Sequence, residues 1–213
     1  MTTHLSTQQA ASNSNPRLIL ASGSAYRREL LSRLRLPFSS ISPDIDETPL
    51  NAETPLATAL RLARLKAEAI ARQLNSGEAA LVIGSDQVAT LDHLQIGKPG
   101  NHDIALKQLQ LMRGREVVFH TALCLLDTRA NAANPLQIRD IETVVCFRDL
   151  SDAELDAYLR IEQPYDCAGS AKNEALGITI LSSIKSDDPS ALTGLPLIAL
   201  TDMLRNAGVV FYK

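Results

Sequence analysis

The chain has 213 residues, 45% hydrophobic and 21% charged, with 21 Lys and Arg against 24 Asp and Glu for a formal net charge of −3. That suffices for one large domain or two small lobes with a packed core, but gives no global basic field to draw in nucleic acid or an anionic membrane, so any anion site must be local. Cys124, Cys146 and Cys167 form no CxxC pair and are odd in number, which points to a reducing, cytoplasmic setting, and no apolar run reaches the roughly 20 residues of a membrane span.

Residues 1–15 carry neither an apolar core nor a basic stretch, so they read as a disordered extension rather than a signal peptide. Residues 16–213 then form a single domain. Leu18-Ile19-Leu20-Ala21 reads as a strand, Ser22-Gly23-Ser24 as a small-residue loop, and Ala25 to Leu34 as a helix. That succession brings helix N-terminal amides to a place where phosphate binds. Phe38 to Ser42 suits a second strand, ahead of an acidic turn with Asp44, Asp46 and Glu47. From Pro55 to Leu74, apolar residues at three- and four-residue spacing predict a long amphipathic helix.

Ala80 to Gly84 reads as a buried strand that delivers Ser85-Asp86-Gln87 at its carboxyl end. A short hairpin near Asp92-His93 leads to the turn Gly97-Lys98-Pro99 and a helix from Asp103 to Met112. Val117 to Leu126 and Ile138 to Phe147 are strand-like, and Ser151 with Glu154 has capping-box spacing for a helix to Ile161. A polar loop, 163–169, precedes a strand at Ile178 to Leu181 and a last helix from Leu197 to Asn206, stopped by Gly208. The alternation predicts an α/β fold, one mixed sheet with helices on both sides.

Four groups of residues can carry chemistry. Ser22, Ser24, Arg27 and Arg28 combine hydroxyl donors with guanidinium forks that suit phosphate. Asp44, Asp46 and Glu47 can hold a hard cation through oxygen. Asp86 sits where open α/β sheets bind ligands, and can ligate metal or accept a proton. Lys66 and Lys98 are isolated cations able to balance a triphosphate. Each has a bland alternative: solvated arginines, a solvated acidic turn, a turn-capping aspartate, surface lysines. His120 and Cys167 read as structural, and His4, His93 and His102 have no metal-ligand spacing.

Taken in order, the segments 18–24 and 27–31, Asp46-Glu47-Thr48, 63–67 with Lys66, Ile83-Gly84-Ser85-Asp86-Gln87, Gly97-Lys98-Pro99, Asp166-Cys167-Ala168-Gly169 and Gly194-Leu195-Pro196 resemble the Maf family of nucleotide pyrophosphatases. The resemblance covers about residues 17 to 208 and is specific as an ordered set. It implies a twisted mixed sheet like that of the inosine triphosphatases, with flanking helices and two lobes around a cleft. It also implies hydrolysis of a nucleoside triphosphate at the α-phosphorus with Mg²⁺, Mn²⁺ or Co²⁺. Carried over by position, Asp86 is the proton acceptor and a metal ligand with Glu47, while Ser22, Ser24, Arg27, Arg28, Lys66 and Lys98 serve the phosphates. Ala25 departs from the proline usual in the first motif, a loss of rigidity rather than of chemistry.

Within the family the chain looks most like the branch acting on 7-methyl-GTP, through Tyr26, Gln87 and Glu174. N7-methylation makes guanine cationic, and an aromatic face holds a cation with about 0.5–2 kcal/mol. A carboxylate accepts both donors of the guanine edge. The implied substrate is a small nucleotide, with no nucleic acid or membrane partner; a homodimer is left open. The alternatives are a pyrophosphatase for dTTP and UTP, and a nucleotide-binding cell-division regulator without turnover.

Overall fold

The computed structural model describes residues 15–75, 77–92 and 94–212. The extension expected over residues 1–15 lies outside them except for Asn15, whose side chain exchanges two hydrogen bonds with the main chain of Val210. His4 and His93 also fall outside.

Among the described residues seven strands form one mixed sheet: β1 (Arg17–Ala21), β2 (Phe38–Ile41), β3 (Ala80–Leu91), β4 (Leu94–Ile96), β5 (Glu116–Asp127), β6 (Leu136–Phe147) and β7 (Leu181–Ser186). Their order is β2-β1-β3-β5-β6-β7, with β4 paired to the far end of β3. Of the pairings among these strands, β1–β2 and β1–β3 are parallel and the others antiparallel. Five α-helices among the described residues flank the sheet: α1 (Ala25–Ser32), α2 (Pro55–Ala71), α3 (His102–Met112), α4 (Asp152–Glu162) and α5 (Leu197–Asn206).

Alternation along β3 explains the layers. Its even residues Ala80 and Val82 meet Ala59, Ala63, Ala67 and Ile70 of α2. Its odd residues Leu81 and Ile83 meet Leu30 and Leu31 of α1 and Leu200, Met203 and Leu204 of α5. Beyond Val88 the strand leaves both of these clusters for a third, where Ala89 and Leu91 pack with Leu109 and Met112 of α3 and Leu155 and Leu159 of α4. The first two clusters make one lobe and the third the other, and β3 and β5 run through both.

The structure corrects two expectations. β3 does not end near Gly84; it continues to Leu91, because β5 pairs with it antiparallel from Leu81↔Asp127 to Thr90↔Val118. Asp86 is therefore in mid-strand. What ends there is the parallel partner β1, at Ala21↔Gly84, and β4 joins only at Ala89↔Ile96. Residues 85–88 lie between these two registers, on an edge that carries neither strand. The strand expected at Ile178–Leu181 is a 3₁₀ turn, Leu176–Ile180, and β7 begins only at Leu181. Gly177 packs on the backbone of Lys172, where a Cβ would lie 2.5 Å from main-chain atoms, and this contact coils the segment.

Helix α2 comes close to β3 at Gly84. A Cβ built there would lie 2.1 Å from the Ala63 carbonyl oxygen and 3.0 Å from the Ala67 nitrogen. Backbone atoms cannot yield as a side-chain tip can. Gly84→Ala is expected to lower unfolding free energy by about 3 kcal/mol, at the upper end of overpacking costs, measured by urea denaturation. A change below about 0.5 kcal/mol, the range of an ordinary surface substitution, would show that α2 is not seated on this glycine.

Candidate active site

A cleft of about 810 Å³ opens where β3 lacks its edge partner, lined from both lobes. The loop after β1 forms one wall. Ser24 caps α1, its Oγ accepting from Arg27 N at 3.4 Å, and Ser22 Oγ accepts from Ser24 N at 3.1 Å. Both hydroxyls are thus engaged as acceptors, and their protons remain available to a ligand oxygen. Arg27 points back across the cleft, with Nε donating to Gly194 O at 2.8 Å. Gly194 has φ +104°, a conformation that side-chain-bearing residues rarely adopt.

Lys66 occupies the centre. It falls on the buried stripe of α2 with Leu62, Ala63 and Ala67, and its side chain is 6% exposed. Its Nζ lies 2.6 Å from Asp86 Oδ1 and 2.7 Å from Glu47 Oε1. Burying an ammonium is costly unless paired, and two carboxylates meet that requirement here. Burial pushes the Glu47 carboxyl up, but contact with Lys66 and the charges of Lys98 and Arg27 outweigh it and hold it below its usual range. Burial lowers the pKa of Arg27, opposed by Asp86 and Glu47. Three cations and two carboxylates thus form one group on the lining.

A second group on the lining is acidic and aromatic: Tyr26, Asp166, Cys167 and Glu174, which lie close enough to act on one another's charge. Burial raises the Tyr26 phenol, with Cys167 and Asp166 adding to the shift. Glu174 is exposed as a residue, yet the protein packed around its carboxyl raises its pKa by desolvation, and Glu162 and Glu29 add to that. Burial and Asp166 push the Cys167 thiol up to about 12, so it is no thiolate nucleophile.

Of the residues singled out from sequence, Ser22, Ser24, Tyr26, Arg27, Glu47, Lys66, Asp86, Gln87, Lys98 and Glu174 all line this cleft. Arg28 does not: it is exposed one position on from Arg27, turned away by the helical rotation of about 100° per residue. Asp44 is likewise exposed and outside the lining, and Asp46 accepts from Thr48 N at 2.9 Å to shape the Glu47 turn. Gln87 is only half free. Its Nε2 is shared among Thr121 Oγ1, Ala191 O and Leu192 O, at 2.9 to 3.1 Å, which leaves the carbonyl to face a ligand. His120 pairs with Asp140 at 2.8 Å and belongs to the sheet.

Several positioning residues escaped the sequence pattern. The buried carboxylate of Asp188 accepts from Ser190 N, Ile198 N and Ala199 N, capping α5 from outside the helix and fixing the turn that carries Gly194. Ser85 Oγ lies 2.8 Å from Gly194 O. Gln108 joins the two outer walls, donating to Gly97 O at 3.1 Å and accepting from Ser170 Oγ at 2.7 Å. Each depends on a contact remote in sequence; Asp188 ahead of a helix was the only local signal.

Among the described residues no group of three or more His, Cys, Asp or Glu side chains is arranged to hold a metal ion by itself. Asp86 and Glu47 each give one oxygen to Lys66 Nζ, so a cation would have to take the second oxygen of each carboxylate. Two such oxygens suit a hard divalent cation whose remaining ligands come from phosphate and water. Among these residues no helix is long and apolar enough to cross a membrane.

A family model described as Maf-like protein matches residues 17–207. The chain is 69% identical over 198 residues to a protein of Cupriavidus metallidurans named 7-methyl-GTP pyrophosphatase, spanning 93% of this chain and 96% of that one. It is 64% identical over 200 residues to a Burkholderia thailandensis protein of the same name, spanning 94% and 92%. Among solved structures it is similar to the Ham1 protein of Staphylococcus aureus, with 16% identity and a TM-score of 0.44 over 62% of this chain and 72% of that one.

The turn bearing Glu47 is tied to α2 by Glu53, which accepts from Arg61 at 2.7 and 2.8 Å and from Thr58 at 2.9 Å, while Arg61 also reaches Thr48 O. The Arg61 hydrogen bonds hold the Glu53 carboxyl at about 2 against an ordinary 4.5. A depressed carboxylate stabilises the fold above its ordinary pKa, and that contribution fades as pH falls through the window, because the unfolded chain takes the proton first. Between pH 5 and about 2 the urea midpoint of wild type should therefore fall more steeply than that of Glu53→Gln. Parallel pH profiles would remove Glu53 from the anchoring of this turn.

Proposed function

This chain belongs to the Maf family, and on that premise we propose that it hydrolyses 7-methyl-GTP to 7-methyl-GMP and pyrophosphate, clearing a modified nucleotide from the cytoplasm. The observation that carries the hydrolytic part is Lys66 held between Asp86 and Glu47, with Arg27 and Lys98 in the same cleft. A triphosphate there meets three cations. The base then extends toward Tyr26 and Glu174, where acidic and aromatic groups suit a positively charged ring.

The chemistry is an in-line displacement. A water oxygen attacks the α-phosphorus, the bond from that phosphorus to the α,β-bridging oxygen breaks, and pyrophosphate departs with that oxygen. Asp86 takes the proton from the water; its carboxylate sits on a rigid strand and is aligned by Lys66. Arg27, Lys66 and Lys98 offset the charge that spreads onto the phosphate oxygens. Ser22 and Ser24 donate to the same oxygens. A divalent cation (Mg²⁺, Mn²⁺ or Co²⁺) held by Asp86 and Glu47 would supply Lewis-acid polarisation of the α-phosphate. Tyr26 stacks on the base, Glu174 accepts from its two edge donors, and the free carbonyl of Gln87 offers one more acceptor.

Asp86→Asn keeps the shape of the side chain and loses its basicity. It should lower kcat by about 10²- to 10⁴-fold while triphosphate binding survives, measured by pyrophosphate release with metal in excess. A wild-type rate would take Asp86 out of the proton transfer.

Base choice is tested by kcat/KM for 7-methyl-GTP, GTP, UTP and dTTP. Wild type is expected to prefer 7-methyl-GTP. Tyr26→Ala should cost 7-methyl-GTP about 2- to 30-fold more than GTP, because only the methylated base carries the charge. Glu174→Gln should weaken both guanine nucleotides. Equal losses across all four substrates would defeat the base assignment, and a preference for UTP and dTTP in wild type would favour the pyrimidine reading.

A further inference from the structure

Tyr26 already has a cation against its ring. Lys172 Nζ lies 5.6 Å from the ring centroid, within the range of a cation–π contact. The cleft is lined by Tyr26 and by Ala171 and Asn173 on either side of Lys172, but not by Lys172 itself. Nothing in the mechanism above uses it.

The placement is rigid. Lys172 N donates to Tyr158 Oη, and Lys172 O accepts from the main-chain nitrogens of Ala175 and Gly177, both at 3.0 Å. Its ammonium pairs with Glu162 Oε1 at 3.2 Å, and Glu162 Oε2 accepts from Leu176 N at 3.0 Å. Glu162 is 11% exposed and Lys172 28%, so water screens the pair only in part. One carboxylate therefore holds both the cation beside Tyr26 and the segment that carries Glu174.

We propose that the Glu162–Lys172 ion pair sets how strongly the base subsite discriminates a cationic base from a neutral one, with Lys172 as a specificity-determining residue outside the contact surface. The ammonium draws on the electron density of the Tyr26 face and repels a methylated, positively charged base stacked on that ring. A neutral guanine feels little of that repulsion. Glu162 offsets it. The two residues thus act with opposite signs on one ratio, kcat/KM for 7-methyl-GTP over kcat/KM for GTP. The hydrogen bond to Glu162 raises the Lys172 pKa, with Tyr26 contributing.

This inference rests on the base assignment proposed above, and the experiment separates the two. The ratio is measured for wild type, Lys172→Met, Lys172→Arg and Glu162→Gln. Lys172→Met keeps the apolar stem and removes the charge, and should raise the ratio about three- to tenfold. Lys172→Arg restores a cation and should return the ratio toward wild type. Glu162→Gln strips the compensating anion and should lower the ratio. GTP turnover in each variant is the internal control for folding, since a purely structural role would depress both substrates together and leave the ratio fixed. An unchanged or lowered ratio in Lys172→Met overturns the inference while a wild-type preference for 7-methyl-GTP keeps the base assignment. Should Lys172→Met fail to fold, a ratio unchanged or raised in Glu162→Gln overturns it equally. A wild type that does not distinguish 7-methyl-GTP from GTP overturns both.

Discussion

Helix α2 lies on β3 with no side chain between them at Gly84, and most of the site follows from that contact. A Cβ there would sit 2.1 Å from the Ala63 carbonyl, so only glycine permits the approach, and Ala59, Ala63 and Ala67 keep the helix surface flat enough to use it. One turn along, the same face of α2 carries Lys66 and the same face of β3 carries Asp86. Their separation of 2.6 Å is thus set by backbone packing rather than by flexible side chains searching for each other. A buried lysine is tolerable because Asp86 and Glu47 both reach it.

The second constraint is the unpartnered edge of β3 at residues 85–88, between the end of β1 and the start of β4. A strand edge inside a sheet is an opening that a ligand can fill, and here it lies where the two lobes meet. Because side chains alternate along the strand, Asp86 faces the α2 side while Ser85 and Gln87 face the turn that carries Gly194. One stretch of β3 therefore contributes to opposite walls. The lining also carries two charge groups, Arg27, Lys66 and Lys98 around Glu47, and Asp166 and Glu174 around Cys167. A ligand anionic at one end and cationic at the other matches both.

The walls are held by groups that do not themselves line the cleft. Asp188 caps α5 and fixes the Gly194 turn, Gln108 bridges Gly97 and Ser170, and Glu53 ties the Glu47 turn to α2. Such fixed hydrogen bonds limit the reorganisation that a phosphoryl transfer would otherwise demand. Lys172 and Glu162 are a further such pair, with the Lys172 ammonium also 5.6 Å from the centroid of the Tyr26 ring.

What the sequence determined by itself was local or periodic. The stripe of α2 put Lys66 on the buried face, the Ser22-Gly23-Ser24 break marked a strand-to-helix loop, Ser151 and Glu154 formed the capping box, and the ordered motifs named the family. The tertiary structure decided what depends on partners remote in the chain. β3 runs past Gly84 because β5 pairs with it, Arg28 leaves the cleft because the helix turns, and Leu176–Ile180 coils because Gly177 seats on Lys172. Gln87 loses its donor to carbonyls more than a hundred residues away. Periodicity and capping are written into neighbouring residues, whereas strand register and hydrogen-bond competition are settled only when distant segments meet.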